Sequence, residues 1–284
     1  MSFSPSFNPP TRILMGPGPS GAHPRVLKAM TAPILGHLDP EFLKIMDECN
    51  DMLRVVMGTS NRITLATPGT GTSGMEAAVM NLVQPGEKVV VGICGYFGER
   101  IAVMAERAGG VVTRVLAPWG SPTDLASVEA VVKAAGNVKL IGIVHAETST
   151  GAQTPVEPFV KLAKDSGALL LVDCVTSLGG VPVTVDAWGA DAVYSGTQKC
   201  LSAPPGMAPT PTPVAVEGLP HYRLDLVADV TEGRLLGEET LTFTNRSGAA
   251  LEKVVLRLYP NCPEWTPQGL HQESHLRLLE AHVD

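Results

Sequence analysis

No run of basic residues, and no alternation of aromatic with basic side chains, occurs in these 284 residues. The electrostatic footprint of a nucleic-acid binder is therefore missing. Asp and Glu number 28 against 21 Lys and Arg, a formal charge of −7, so the expected partner is a small molecule. A stretch of about 18 uncharged apolar residues, the least that spans a bilayer as a helix, is also lacking. Residues 1–10 carry no basic segment followed by an apolar run, the pattern of a secretory leader. Cys49, Cys94, Cys174, Cys200 and Cys262 are odd in number, scattered and never spaced Cys-x-x-Cys, which argues against a disulfide framework and a thiolate zinc site. These absences predict a soluble, cytoplasmic chain with no membrane or nucleic-acid partner and no bound metal. Internal repeats are absent too, which removes solenoids and propellers.

What is present is a chain long enough to bury a full core. Helix-like periodicity covers 41–57, 73–83, 97–108, 124–135 and 156–164, and short β-branched apolar runs at 88–93, 111–116, 139–144, 168–173 and 190–194 lie between or after them. Such alternation predicts a parallel sheet with helices on both faces. Strands apolar on both sides are those buried between two helical layers. The pattern changes across 202–220, where Pro204, Pro205, Pro209, Pro211, Pro213 and Pro220 predict a linker without helix or central strand. Beyond it, Tyr222, Leu224, Leu226 and Ala228 alternate with polar residues, as do Val254, Leu256 and Leu258; with 240–244 they predict an antiparallel β meander.

The chemistry concentrates at three places. Asp173 closes the apolar run Leu169-Leu170-Leu171-Val172. A carboxylate there is either a surface cap or a ligand group at the carboxyl end of a parallel strand, where open α/β sheets bind their ligands. Lys199 ends Tyr194-Ser195-Gly196-Thr197-Gln198-Lys199. Taken alone it is an ordinary exposed lysine, but Ser195, Gly196 and Thr197 before it could offer hydroxyls and close backbone to an anion. Gly69-Thr70-Gly71-Thr72-Ser73-Gly74 lies between the strand-like 63–66 and a helix beginning near Ser73. It suits a phosphate at a helix N-terminus, a plain glycine-rich turn, or the dinucleotide fingerprint. The last wants an acidic residue ending the next strand, and that strand ends Val91-Gly92-Ile93-Cys94.

An amine able to form an imine, a carboxylate to keep a pyridine nitrogen protonated and a phosphate cradle, in this chain order, imply pyridoxal phosphate. Phe97, between Gly95-Tyr96 and Gly98, is either core or a flat ring for stacking. Glu147, Thr148, Ser149 and Thr150 follow a strand and could hydrogen-bond a cofactor hydroxyl. His145 reads as a structural histidine.

These residues resemble the class V aminotransferases, particularly the alanine–glyoxylate and serine–glyoxylate enzymes of fold type I. The matching stretches are Met15-Gly16-Pro17-Gly18-Pro19-Ser20, 69–77, Gly95-Tyr96-Phe97-Gly98-Glu99-Arg100, Glu147-Thr148-Ser149-Thr150-Gly151, 172–180 and 194–206. The resemblance implies the large domain of a fold type I transferase over 1–209, followed by a linker at 210–220 and a β-rich tail of unrelated origin at 221–284. By the same likeness Lys199 is the Schiff-base lysine, Asp173 the partner of the pyridine nitrogen and Val175 the apolar contact under the ring. Phe97 stands where the family stacks an aromatic residue, most often tryptophan. Thr70, Gly71, Thr72 and Gln198 hold the phosphate, Thr148 meets the ring hydroxyl, and Gly18 lines the substrate entrance. Expected substrates are a small amino acid, alanine or serine, and the 2-oxo acid glyoxylate, handled by a homodimer when the domain is complete. A lyase or desulfurase on the same fold, and a non-catalytic fragment, are the alternatives.

Family members continue well past the lysine, whereas here the likeness stops near Pro209. The resemblance therefore implies an incomplete large domain, without the arginine that binds the substrate carboxylate and without the residues a partner subunit lends to the phosphate site. The tail, over 222–261, is similar to the N-terminal β-domain of gluzincin aminopeptidases. Its His271-Gln272-Glu273-Ser274-His275 lacks the glutamate directly after the first histidine that a zincin needs.

Overall fold

The computed structural model describes residues 10–211, 221–229 and 234–242. The chain divides into two compact units, Met1–Val214 and Ala215–Asp284. Within the first, a short helix α1 (Pro24–Ala29) precedes the longer α2 (Pro40–Met57). Asp39 starts α2 by accepting a bond from the Glu41 N–H at 2.9 Å, and Gly58, left-handed at φ 59°, ends it. The cap supplies an acceptor to an otherwise orphaned amide, and glycine tolerates the left-handed exit.

Then strands and helices alternate: β1 (Thr64–Gly69), α3 (Gly71–Leu82), β2 (Lys88–Ile93), α4 (Tyr96–Arg107), β3 (Val111–Leu116), α5 (Leu125–Ala135), β4 (Val138–Val144), α6 (Glu157–Ser166), β5 (Leu169–Asp173), α7 (Val185–Trp188), β6 (Ala192–Tyr194) and β7 (Gly206–Pro211). Strands β3-β2-β4-β5-β6 form a wholly parallel sheet. Strand β7 pairs antiparallel with β1. Ser195 N–H donates to Pro209 O at 2.8 Å and Thr197 N–H to Met207 O at 3.1 Å. Backbone pairing thus continues from the end of β6 into β7, and the sheet reads β3-β2-β4-β5-β6-β7-β1 with only β7 reversed.

The sheet is apolar on both sides, as its sequence predicts. Val90, Ile141, Leu170, Val172 and Val193 pack with Val128 and Val132 of α5 and Phe159 and Val160 of α6. On the other face Val89, Val91, Leu140, Leu171 and Tyr194 pack with Met75 and Val79 of α3 and Ile101 and Ala105 of α4. Two departures from the sequence pattern appear. Strand β3 is an edge, so Val111 and Leu116 are 57 % and 73 % exposed. The proline-rich stretch is the second: the predicted linker begins with a strand, β7. Proline costs a strand only where its missing N–H would enter a ladder. Pro209 and Pro211 alternate with Ala208 and Thr210 and keep their N positions off the β1 ladder, while on the β6 side Pro209 O and Met207 O still accept from Ser195 and Thr197 although Pro209 has no N–H to return.

In the second unit, β8 (His221–Asp229) and β9 (Arg234–Thr242) pair antiparallel, as the alternation at 222–228 predicts. The expected strand at 254–258 and the histidines 271 and 275 lie outside the described residues.

Candidate active site

The carboxyl ends of β1, β2, β5 and β6 deliver residues to one cleft of about 210 Å³, lined by Thr70, Gly71, Thr72, Met75, Phe97, Arg100, Asp173, Val175, Gln198 and Lys199. Asp173 is the last residue of β5 and is 2 % exposed. Its carboxylate accepts from the Val175 N–H at 2.8 Å and the Tyr194 hydroxyl at 2.7 Å. Tyr194 ends β6 and is fully buried, so its hydroxyl has every reason to find that acceptor. Burial raises the Tyr194 pKa well above its usual value, which keeps the phenol a donor. Burial also pushes Asp173 up to about 6, against the two hydrogen bonds and the more distant Lys199, which pull it down; Glu147 adds to the rise. A cation in the cleft beside Asp173 would reverse that push.

The Asp173 shift has a thermodynamic consequence. A carboxyl group whose pKa is about 6 when folded and 3.8 ordinarily holds its proton more tightly in the folded protein. Stability is therefore lost as pH rises from about 4 to about 6, on the order of 3 kcal/mol, and the loss persists above that window. Asp173→Asn removes this titration. In denaturant unfolding of the cofactor-free protein, the variant should gain on the wild type across that window. A stability difference independent of pH would contradict the burial argument.

Lys199 lies in the turn after β6, 9 % exposed. Burial lowers its pKa, while Asp173 and Cys200 oppose the shift, so more of the amine is neutral than in water. Gly18 covers it: with φ +139°, a Cβ there would stand 2.3 Å from Lys199 Cδ and 2.7 Å from Nζ. The N-terminal segment is tied down at the same point, since Ser20 N–H donates to Gln198 O at 2.8 Å and Ser20 Oγ to Lys199 O at 2.5 Å.

The glycine-rich stretch proves to be the helix itself. α3 begins at Gly71, two residues earlier than the sequence pattern predicts, and its N-cap Thr70 makes no side-chain capping bond. Its first amides therefore have no acceptor of their own helix and open toward the cleft. Side chains are excluded there for a reason: a Cβ on Gly71 would meet Val175 Cγ2 at 2.6 Å, and one on Gly196 would meet Gln198 Oε1 at 2.8 Å. That Gln198 oxygen is buried without a hydrogen-bond partner. Gly74 has a different role, letting α3 approach β6 and β7, since its Cβ would lie 3.0 Å from Ala208 Cβ and 3.1 Å from Tyr194 Cβ.

Phe97 is the second residue of α4, and the start of that helix is fixed by the loop after β4. Glu147, 1 % exposed, accepts from the Phe97 N–H at 3.1 Å and the Gly98 N–H at 3.2 Å. Ser149 Oγ accepts from the Tyr96 N–H at 2.9 Å and donates to Glu147 at 2.7 Å. A buried carboxylate on a helix N-terminus satisfies orphan amides and complements the dipole.

One sequence expectation needs correction. Ser195 and Thr197 do not offer their hydroxyl protons to the cleft. Ser195 Oγ, buried, donates to Cys174 O at 2.9 Å and Thr197 Oγ1, half-buried, to Pro204 O at 2.8 Å, because hydroxyls out of water pair with the carbonyls beside them. Thr148 lies in the loop after β4, half-buried, and its hydroxyl bonds that of Thr176; it is not among the residues lining the cleft. His145 is 4 % exposed, with its ring edge-on to Trp188 at 5.0 Å and Nε2 3.2 Å from the Gln153 amide. Tyr194 and Arg100 are contributors the sequence did not single out for roles, and Glu147, expected to offer a hydrogen bond to a cofactor hydroxyl, holds the start of α4. Tyr194 could have been found from its place at a strand end next to the Asp173 strand.

A parallel α/β sheet of this order, with an amine, a buried carboxylate and an uncapped helix start facing one cleft at its carboxyl edge, defines the fold type I class of pyridoxal-phosphate-dependent enzymes. Within that class the chain belongs to the class-V aminotransferases, a family dependent on pyridoxal phosphate, whose profile matches residues 23–208. It is 41 % identical over 207 residues to the alanine–glyoxylate aminotransferase of Rattus norvegicus, covering 73 % of this chain and 50 % of that protein. Identity to the (S)-ureidoglycine–glyoxylate transaminase of Bacillus subtilis is 40 % over 200 residues, 70 % of this chain and 48 % of the relative. Among solved structures, the alanine–glyoxylate aminotransferase of Nostoc sp. superposes with a TM-score of 0.71 at 46 % identity, over 75 % of this chain and 56 % of that one. The chain spans about half the length of the curated relatives it matches.

Proposed function

We propose that the cleft holds pyridoxal phosphate and that the chain carries out transamination between a small amino acid, alanine or serine, and glyoxylate. The observation that carries this reading is the meeting of Lys199, Asp173 and the uncapped start of α3 in one cleft. The residues fit the cofactor. The amides of Gly71 and Thr72 with Thr70 and Gln198 suit its phosphate, and Val175 and Phe97 suit the two faces of its ring. Asp173, pushed up by burial, suits its nitrogen, and Thr148 is assigned to the ring hydroxyl.

When bound, pyridoxal phosphate supplies an aldehyde and a ring that withdraws electrons from the substrate α-carbon. The protein supplies the rest. Lys199 Nζ, whose pKa burial lowers, would hold the cofactor's aldehyde carbon and, as a free amine, would take the proton from the substrate α-carbon. Asp173, oriented by Tyr194 and Val175, holds the ring nitrogen's proton. Glu147 keeps Phe97 in place through the backbone of α4.

Residues 1–209 supply this site, and the β-rich tail takes no part in the chemistry. The relatives' remaining length, which the match does not cover, is assigned the substrate clamp and the lent dimer residues, so turnover by these 284 residues alone should be low. Each factor of ten lost is about 1.4 kcal/mol of transition-state stabilisation, and several such factors are expected from poor positioning. A steady-state assay of the 284-residue chain with alanine or serine and glyoxylate should therefore give turnover at least about a hundredfold below a complete class-V enzyme. Equal turnover would show that the tail replaces the lost length.

A further inference from the structure

A carboxylate that serves a protonated ring nitrogen must itself be ionised, and Asp173 sits where ionisation is costly. Burial pushes it up to about 6, and Glu147, in the loop after β4, adds to the rise. Opposing them are the Tyr194 hydroxyl, which is the largest of the three, the Val175 amide and Lys199. Cys174, next along the chain, is a thiol kept neutral by burial, and Arg100 is the other cation lining the cleft.

Strand pairing creates the tyrosine's bond. Asp173 and Tyr194 are the last paired residues of β5 and β6 and stand directly opposite each other, so their side chains leave the sheet on the same face. The Cys174 N–H donates to Tyr194 O at 2.8 Å and fixes that register. The ring has no room to swing. Tyr194 is 0 % exposed in the apolar layer shared with α3 and α4, and a Cβ on Gly74 of α3 would stand 3.1 Å from Tyr194 Cβ. Burial, then the charge of Asp173, raises the phenol well above its usual value, so it stays a donor wherever Asp173 titrates.

We propose that Tyr194 is a positioning residue with a task beyond orientation: its hydroxyl proton weakens Asp173 as a base, so that a proton between Asp173 and the cofactor's ring nitrogen stays on the nitrogen, resting on the reading of the cleft as a pyridoxal phosphate site. A hydrogen bond to the ionised form of a carboxyl group favours that form. Without it Asp173 competes for the proton, and a neutral ring withdraws electrons less strongly. Phenylalanine keeps the ring and its packing and removes only the donor.

The test uses the full chain and compares wild type, Tyr194→Phe, Asp173→Asn and the double variant. Denaturant unfolding of the cofactor-free proteins from about pH 4 to about pH 8 follows the ionisation of Asp173. Wild type should stop losing stability near pH 6, the value of Asp173 in the folded protein. In Tyr194→Phe the loss should run on to at least about pH 7, since a hydrogen bond to a charged group is worth about one pKa unit or more. In the Asp173→Asn background the same change should have no pH dependence across this window. A merely structural tyrosine would lower stability equally at every pH. Where phenylalanine prevents folding, 3-fluorotyrosine at the same position serves instead; its more acidic phenol is a stronger donor and should end the window below the wild-type pH. With pyridoxal phosphate carrying a labelled ring nitrogen, NMR near neutral pH should show a protonated nitrogen in wild type and a shift toward neutral pyridine in Tyr194→Phe. A window that ends at the same pH with and without the changed hydroxyl overturns the assignment, and so does a ring nitrogen equally protonated in both proteins. Failure of the wild type to capture cofactor overturns the underlying reading and is told apart, because the unfolding measurement needs no cofactor.

Discussion

Lys199→Ala should leave the protein without the visible absorbance band that pyridoxal phosphate develops on wild type, and without any cofactor retained through gel filtration after borohydride treatment. The effect is all or none because one primary amine lines the described cleft, and alanine has nothing with which to form the bond. Folding should survive. The side chain is 9 % exposed, but its amine makes no hydrogen bond to hold the turn; the turn is held by backbone and hydroxyl bonds, from Ser20 to the carbonyls of Gln198 and Lys199 and from Ser202 N–H to Lys199 O at 3.0 Å. Circular dichroism matching the wild type would separate loss of the amine from loss of the fold. A retained band in the variant would remove Lys199 from the chemistry.

Asp173→Asn should capture the cofactor yet react poorly. Asparagine keeps the shape and can still meet Val175 and Tyr194, but it carries no charge to stabilise a protonated ring nitrogen. The rate of the half-reaction with alanine should fall by at least about a hundredfold, near 2.7 kcal/mol, while the reductively trapped mass persists. Cofactor affinity should fall as well, since a buried carboxylate pushed up to about 6 is the group that gains most from a cationic neighbour. Stopped-flow absorbance measures the rate. An unchanged half-reaction would show that the protonation state of the ring nitrogen is set by another group.

The sheet was legible because its interior strands are short apolar runs flanked by helical periodicity, and Asp173 was legible because a carboxylate closing such a run is costly without a partner. Lys199 gained meaning from chain order and from Ser195-Gly196-Thr197 just before it. What sequence could not reveal was three-dimensional in origin. Pro209 and Pro211 read as a linker because propensity does not show that the alternate positions Ala208 and Thr210 can still serve the β1 ladder. Ser195 and Thr197 looked free for an anion, and only the fold shows the Cys174 and Pro204 carbonyls beside them. Gly71 fitted a loop motif but belongs to the helix that Gly74 was expected in, and each permits a different close approach.

Peptide mapping of the wild-type chain after incubation with pyridoxal phosphate and borohydride tests the central claim most directly. The account predicts one modified peptide, carrying the reduced cofactor on Lys199, at near-stoichiometric yield and at low cofactor concentration. Modification spread over surface lysines at low yield, with Lys199 unmodified, would contradict it.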